Sequence, residues 1–434
     1  MIDRLKRQLH VGSVLASARL VAWSHGGRLA PGRLAPDNEP IWRDQEHLLK
    51  LYRRLGPVFK MRWGGKFTTC IVGHEFGHRF LAENKGRIRA VTADLTQVFP
   101  IGFLRQLEGE THTDYRRRFL AAFKAVPLAP HEATLRTIIR DRVAALAAGD
   151  GSVDAAAVAR AAKSATTAVF LLLIMGADDK SAAAEALTRA MDEFTPNGVL
   201  IHFGPADKEA YARLRALVVA HATELAKRQG QPRSLLEYFV RGRDYDETVL
   251  GNLITMVEGA RYDTHGLWRW ILFELAAQAG FLGRVRAEPD AARRMALVRS
   301  VVQETLRMQQ SEYLHRVALE TLKFDGFVIP KGSWVRVCIW EGHRDPAKFD
   351  RPDDFIPDRF VDRTFPSTSY APLGLDHHMC LGATWTLDLG AMLVEELALG
   401  FDLAPVHHAA PLKGRFHFEP GPDARLTINK RAEA

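Results

Sequence analysis

The spacing of apolar residues predicts a mainly helical chain with small β-sheets. Apolar positions recur at helical intervals in five segments, 130–148, 155–176, 208–228, 246–280 and 293–308. Alternating, β-branched segments beside glycine turns predict strands in three others, 57–73, 317–340 and 416–430. Because strands come before and after a large helical body, we expect an α+β fold that is mainly α.

The longest helical segment, 246–280, predicts a helix that crosses the whole core. It contains no proline over about 35 residues, and at the standard rise it would extend about 50 Å. Both ends are apolar on nearly every side, but the middle reads EGARYDTHG. Polar residues at the centre of a core cost free energy unless something there uses or satisfies them. This stretch therefore indicates a functional site or a wet groove where the helix bends.

Composition places the chain among soluble globular proteins. Of its 434 residues, 47% are hydrophobic and 25% are charged, which excludes disordered and fibrous classes and allows a large core. We find no window of about 18 apolar residues without a charge, so we expect no transmembrane anchor.

The first 40 residues (1–40) are expected to form an extension before a single catalytic domain at 41–434. In MIDRLKRQLHVGSVLASARLVAW, lysines and arginines surround an apolar helical face. Such a pattern is typical of a packed N-terminal helix and also of a basic amphipathic helix that makes peripheral contact with an anionic membrane. Both interpretations stay open.

Charge and cysteine content limit which partners and which cellular compartment we expect. The net charge of +8 is spread along the chain without a block of five or six basic residues. We therefore expect no nucleic acid, and either an acidic protein partner or no effect of the charge on partners. Cys70, Cys338 and Cys380 lack metal-finger spacing and cannot all form disulfides, which favours a reducing, cytoplasmic location. We expect a monomer.

The segment around Cys380, APLGLDHHMCLGATWTLDLG, carries the strongest candidate chemistry. Apolar residues at helical spacing follow the cysteine, so its thiol lies at a helix start, where the helix dipole favours a thiolate. Gly374 and Gly382 would let a flat group approach the backbone. Four interpretations stay open at this point: a zinc site with His377 and His378, a nucleophile with a histidine base, an axial ligand for haem iron, and an inert buried cysteine.

Three segments together resemble the cytochrome P450 family of haem-thiolate monooxygenases. LGLDHHMCLG is similar to the cysteine-ligand loop of that family, ETLR at 304–307 to its Glu-x-x-Arg helix, and FIPDRF at 355–360 to its Pro-Glu-Arg-Phe stretch. The resemblance extends from about residue 40 to the C-terminus. It implies the P450 fold, a long central helix across the haem, haem b (iron protoporphyrin IX) as the cofactor, and Cys380 as the proximal iron ligand.

The resemblance also implies roles for other residues. Gly382 would let the following helix lie against the porphyrin, and Ala260 would leave room over the iron. A buried ion network would hold the proximal side through Glu304, Arg307 and Arg359. The two haem propionates would be bound by His112, Arg116, Arg316 and His378. An acid and an alcohol, Asp263 and Thr264, would relay protons to oxygen.

Four positions depart from the family pattern. Arg261 replaces a usual glycine and His265 a common threonine, and both bear on proton delivery. Leu373 replaces a usual phenylalanine and Asp376 a frequent glycine, and both bear on the surroundings of the thiolate.

The resemblance implies a soluble monooxygenase that inserts one oxygen atom of O2 into an apolar small molecule, such as a secondary metabolite, a terpenoid or a fatty-acid-like compound. Because the sequence contains no flavin or iron–sulfur motif, we expect electrons from a separate ferredoxin or flavodoxin with its reductase. Substrate contacts are expected from 88–106 and 192–204. Two alternatives are a haem-thiolate enzyme that uses peroxide or rearranges its substrate, and a non-catalytic haem or small-molecule binding protein.

Overall fold

Helices dominate the described part of the chain. The structure, a computed structural model, describes residues 2–34, 44–63, 65–92, 94–147, 151–195, 203–309, 313–408, 410–414 and 417–432. The helices, in chain order, are α1 Ile2–Ser24, α2 His47–Leu55, α3 His74–Glu83, α4 Gly109–Ala125, α5 Glu132–Ala147, α6 Ala155–Phe170, α7 Ala182–Phe194, α8 Pro205–Leu225, α9 Leu235–Gly242, α10 Glu247–Ala277, α11 Phe281–Ala287, α12 Ala291–Gln309, α13 Ile339–Gly342 and α14 Ala383–Gly400.

Small sheets lie beside this helical body, as the strand patterns predict. The strands are β1 Val58–Trp63, β2 Lys66–Val72, β3 Ile88–Ala90, β4 Ser152–Asp154, β5 Tyr313–Ala318, β6 Leu322–Phe324, β7 Phe327–Ile329, β8 Trp334–Cys338, β9 Phe401–His407, β10 Leu412–Lys413, β11 Phe418–Glu419 and β12 Arg425–Lys430. One sheet has the order β1-β2-β8-β5-β3, with β2 and β8 parallel, and another has the order β4-β12-β9. The pairs β6-β7 and β10-β11 are hairpins.

Helix α10 crosses the core as the 246–280 pattern predicts. It packs against α6, α12 and α14, and its two ends are buried on nearly all sides. Asp246 caps its start by accepting a hydrogen bond from the backbone N–H of Val249 at 2.7 Å. A helix buried on all sides at both ends has a fixed position, so its central turns are held rigidly against whatever lies beside them.

Helix α6 and the π-helical turn that follows it form the other apolar centre of the core. The segment 155–175 is long and apolar enough to cross a membrane. However, 72% of its apolar 18-residue window is buried inside the protein. The segment contacts α5 and α10, as expected for the core helix of a globular fold.

The N-terminal residues form helix α1, which is packed on one side only. Ala18 and Ala22 are buried, whereas Leu20 and Trp23 are 68% and 80% exposed. The chain after it reaches the β6-β7 hairpin, where the backbone N–H of Val328 donates to the carbonyl of Arg28 at 2.8 Å.

Candidate active site

Cys380 lies on a loop that turns back on itself just before α14. Its backbone N–H donates to the carbonyl of Leu373 at 2.9 Å, and Gly374 adopts a φ of +97°, a conformation that favours glycine. The residue has accessible surface, yet protein surrounds it closely enough that burial raises the pKa of the thiol to about 11. Cys380 therefore lines an internal space. A thiol with this pKa stays protonated at neutral pH unless a bound cation displaces the proton.

The middle of α10 faces the same space. Gly259 and Ala260 are partly exposed although the helix around them is buried, and a Cβ built on Gly259 would meet no atom within 4 Å. The Asp263 side chain is 66% exposed, and its carboxylate is near enough to Cys380 to raise the pKa of that thiol further. Thr264, one position further round the helix, is buried with 4% exposed. Of the predicted acid and alcohol, the acid, Asp263, is the one whose side chain is exposed to this space.

Arg261, where the resemblance leads one to expect glycine, points away toward α7. Its Nη2 lies 3.0 Å from Glu258 Oε1, its Nη1 lies 3.2 Å from Asp192 Oδ1, and it donates to the Thr195 hydroxyl at 3.2 Å. Burial raises the pKa of Glu258, and the Arg261 guanidinium opposes that shift. The arginine side chain thus pairs with a buried carboxylate at the α7–α10 interface and leaves the space beside Cys380 clear.

His265 also lies away from that space, against α6. Burial lowers its pKa to about 3, and the cations of Arg269, Lys163 and Arg261 lower it further. The side chain is neutral at pH 7 and packs as a core residue.

Buried donors without matching carboxylates gather on the other side of Cys380. Arg316 is 3% exposed, has no carboxylate within 4.0 Å among the described residues, and donates only to its neighbour's carbonyl at 2.9 Å. Burial lowers its pKa to about 10. Arg116 donates to the carbonyl of Met379 at 2.9 Å. A buried guanidinium without an anion is costly, so this region calls for one.

Two histidines belong to the same region. His112 and His378 lie with ring centroids 4.4 Å apart, and Nε2 of His378 lies 3.4 Å from Oε1 of Glu108. Burial and the neighbouring cations lower the pKa of His112 to about 4. The four residues predicted to bind propionates are thus brought to one side of Cys380. The guanidinium of Arg316 has no carboxylate within 4.0 Å among the described residues, and it lies with other donors. Such a set suits the two carboxylates of a haem, so this region fits that cofactor.

The zinc alternative proposed from sequence used His377, His378 and Cys380. Among the described residues, the group with metal-ligand spacing is instead Glu108, His377 and His378, whose ligand atoms lie within 4.8 Å of one another. Glu108 Oε1 is 3.4 Å from Nε2 of His378 and Oε2 is 3.5 Å from Nε2 of His377. Cys380 is not part of that group, which leaves its thiol available to an iron.

One buried carboxylate, that of Glu304 on α12, binds two arginines. Nε of Arg307 lies 2.8 Å from Glu304 Oε2, and Nε of Arg359 lies 3.0 Å from both carboxylate oxygens. The backbone N–H of Ile356 donates to Oε1 at 2.9 Å. The remaining donors of Arg307 reach the carbonyls of His343, Pro352 and Asp354. The structure brings the three predicted residues together, with every group of the network hydrogen-bonded.

Sequence reasoning missed two residues of the site. His417 contributes an imidazole 2.8 Å from Asp263, and Glu108 contributes the carboxylate beside His378. Neither residue belongs to a local motif, and His417 lies 154 positions from its partner. No periodicity or spacing in the sequence could have indicated either contact.

A mainly helical fold with a thiol across an open space from a glycine- and carboxylate-bearing core helix defines a haem-thiolate type of site. Comparisons with known proteins agree with this class. The family model for cytochrome P450 matches residues 42–386. The chain belongs to the cytochrome P450 family, and it is a haem-iron monooxygenase of that family.

Curated relatives have low sequence identity to this chain, but they match most of its length. A cytochrome P450 of family 716, subfamily AD, from Citrus sinensis is 27% identical over 73% of this chain and 73% of its own. Abscisic acid 8'-hydroxylase 2 of Oryza sativa subsp. indica is 28% identical over 82% of this chain and 77% of its own. A putative cytochrome P450 135B1 of Mycobacterium bovis is 26% identical over 79% of each chain.

Solved structures confirm the P450 fold predicted from the sequence. Retinoic acid-bound cyanobacterial CYP120A1 matches with a TM-score of 0.76 and 19% identity, covering 93% of this chain and 100% of the other. A zebrafish cytochrome P450 with abiraterone matches with a TM-score of 0.70 and 20% identity, covering 88% and 98%.

Proposed function

We propose that this protein hydroxylates an apolar small molecule, with haem b bound through Cys380 and electrons delivered by a separate redox protein. The observation that carries the proposal is the thiol of Cys380, which lines an internal space opposite the exposed carboxylate of Asp263. Haem iron, when bound, supplies the activation of dioxygen, which protein side chains alone do not provide.

The residues of the chain have distinct tasks in this proposal. Cys380 would ligate the iron through its sulfur. The N–H of Gly382 and the guanidinium of Arg116 both favour the thiolate by lowering the pKa of the thiol. Arg316, Arg116, His112 and His378 hold the propionates. Asp263 relays protons through its carboxylate, with Thr264 as its predicted partner. The overall reaction is R–H + O2 + 2 e⁻ + 2 H⁺ → R–OH + H2O.

Aromatic side chains support an apolar substrate. The two segments expected to contact substrate meet in one cluster, where Phe99 stacks on Tyr211 at 6.2 Å and Phe194 lies 5.4 Å from the same ring. Asn252 ties the first segment to α10 by accepting from the N–H of Leu104 at 2.7 Å. Residue 93 and residues 196–202 of the expected contacts lie outside the described residues. These buried rings back the two segments with apolar surface, which favours a substrate bound through apolar area.

The outer face of α4 supports an acidic electron donor, a ferredoxin or a flavodoxin. Arg117, Leu120 and Lys124 share one side of this helix and are all exposed. A basic patch around an exposed apolar residue is what an acidic protein partner needs for steering and contact. Because α4 also carries His112 and Arg116, a donor bound there would lie close to the propionate side of the site.

We also infer a division into an extension at 1–40 and a catalytic domain at 41–434, in a monomeric cytoplasmic protein.

Leu20 and Trp23, exposed on α1, support peripheral contact of the extension with a membrane surface. Sedimentation with anionic vesicles tests this contact, since replacement of both residues by serine should abolish it while leaving binding-induced spectral shifts unchanged.

The experiment that tests the function is reconstitution with a ferredoxin, its reductase and NADPH. Compounds that shift the haem spectrum would be turned over under ¹⁸O2. One ¹⁸O in the product per two electrons supports the proposal, whereas product oxygen from water contradicts it. A protein that binds haem and shows no turnover with any donor would be a non-catalytic binding protein.

A second candidate is a haem-thiolate enzyme that uses peroxide. The paired carboxylate and imidazole of Asp263 and His417 favour it, because an acid and a base side by side are what peroxide cleavage needs. Turnover with hydrogen peroxide alone, faster than with the redox proteins, would support this candidate over the first.

A further inference from the structure

The C-terminal hairpin lies against the middle of α10 and delivers a histidine to the site. Nε2 of His417 lies 2.8 Å from Oδ1 of Asp263, within hydrogen-bond distance. The imidazole also stacks on the ring of Tyr262, with centroids 5.8 Å apart and planes 27° apart. The histidine is therefore held by two successive residues of the helix.

The hairpin is anchored two helical turns further along. Nη1 of Arg269 lies 2.9 Å from Oε2 of Glu419, and the indole N–H of Trp270 donates to the carbonyl of Phe418 at 3.0 Å. Within the hairpin, the N–H of Gly414 donates to the carbonyl of His417 at 2.8 Å. These contacts fix the backbone of His417 independently of its own side chain, so the imidazole is presented to Asp263 by a rigid support.

Asp263 needs such a partner because its surroundings leave it free on the other sides. Its side chain is two-thirds exposed, in the described structure its ion pair is with His417, and its charge faces the Cys380 thiol. A hydrogen bond at Oδ1 selects one orientation of the carboxylate and leaves Oδ2 open to the internal space.

We propose that His417 is a positioning residue for proton delivery: it holds the Asp263 carboxylate in the orientation from which protons reach oxygen. The inference rests on the proposed monooxygenase function and adds a residue from the C-terminal hairpin to the site. When protons arrive in the wrong place or too late, the two electrons leave as hydrogen peroxide (O2 + 2 e⁻ + 2 H⁺ → H2O2). The yield of product per NADPH therefore reports directly on the positioning.

The test compares His417→Ala, His417→Gln and a control, His407→Ala, in the haem-loaded protein. Glutamine keeps an N–H donor of similar reach, and His407 is an exposed histidine of β9 at some distance along the chain from the hairpin. The readouts are product and peroxide per NADPH, the substrate Kd from spectral titration, and hydrogen exchange of 256–266 and 417–419. The carbon monoxide spectrum of the wild type checks the proposed function separately.

We expect His417→Ala to lower product per NADPH by about tenfold, the effect of losing one charge-assisted hydrogen bond. Peroxide should rise correspondingly, the substrate Kd should stay unchanged, and exchange at 256–266 should increase. His417→Gln should restore most of the yield, and His407→Ala should match the wild type. Unchanged yield in His417→Ala, or a loss confined to substrate Kd, would overturn the proposal even where the carbon monoxide spectrum is normal.

Discussion

Nε of Arg307 lies 2.8 Å from Oε2 of Glu304, and neither side chain has any exposed surface. Arg359 shares the same carboxylate, so one negative charge is held between two positive ones. Removing one partner of a buried, fully hydrogen-bonded pair strands the other in the core. The network therefore ties α12 to the segment 343–359 that follows α13.

We expect Glu304→Gln to destabilise the protein by about 3–5 kcal/mol, the usual cost of an uncompensated buried charge. The measurement is urea unfolding of the variant and the wild type. Glu224→Gln is the matched control, since Glu224 also pairs with a cation three residues away, Lys227, but with both side chains about two-thirds exposed. That variant should change stability by less than about 1 kcal/mol. Equal effects of the two variants would mean that Glu304 has no special structural role.

Arg261→Ala tests whether the arginine clamps α7 to α10. The change leaves Glu258, 2% exposed, without its cation, so it should destabilise the protein and increase hydrogen exchange over 182–195. Lys163→Ala is the control, because Lys163 reaches the same Asp192 at 3.0 Å from an exposed position. If both variants exchange like the wild type, the α7–α10 contact depends on apolar packing alone.

Glu274 should make stability fall as pH rises. It is a buried carboxyl on α10 that accepts from Nε2 of Gln309 at 2.6 Å, and burial raises its pKa to about 7. Since the unfolded chain releases this proton near pH 4.5 and the folded chain only near pH 7, the folded state holds more protons in between. The contribution of Glu274 to the free energy of unfolding is fully present below pH 4.5 and is lost by pH 7. The difference is about 3 kcal/mol.

Glu274→Gln should abolish that dependence. The difference in unfolding free energy between variant and wild type should grow from pH 5 to pH 7.5 in favour of the variant. A constant difference across this window would show that Glu274 titrates alike in both states.

Charge reversal on α4 tests the electron donor. Arg117→Glu with Lys124→Glu should slow reduction by an acidic ferredoxin at low salt by about tenfold or more, and the effect should shrink as salt is raised. Stopped-flow reduction at two ionic strengths measures the rate. The control is the double variant Lys208→Glu and Arg228→Glu, because both residues are exposed elsewhere on the surface. A rate that does not respond to the α4 variant places the donor elsewhere.

How much of the site could be predicted from the sequence depends on the range of each interaction. Cys380, Glu304 and Arg359 each lie in a short motif, so contiguous residues indicated them. The core helix at 246–280 was confirmed with bounds of 247–277, because its apolar pattern is long and uninterrupted by proline. Helices with thin apolar stripes were not predicted, as in α4, whose buried residues are only His112, Phe119 and Ala122.

Orientation and long-range pairing could not be predicted. Arg261 stands in the motif beside Asp263, but whether its side chain enters the open space or turns to α7 depends on Asp192, nearly seventy positions away. His417 meets Asp263 only because the terminal hairpin folds back across α10. Such contacts follow from tertiary packing and leave no periodic signal in the chain.

The most direct test of the account is the absorbance spectrum of the purified protein, reduced under carbon monoxide, beside Cys380→Ala and Cys70→Ala. We expect a strongly red-shifted Soret band in the wild type and in Cys70→Ala, because Cys70 is buried in the sheet. The band should be lost in Cys380→Ala. A wild type without haem, or a Cys380→Ala protein with an unchanged band, would contradict thiolate ligation by Cys380.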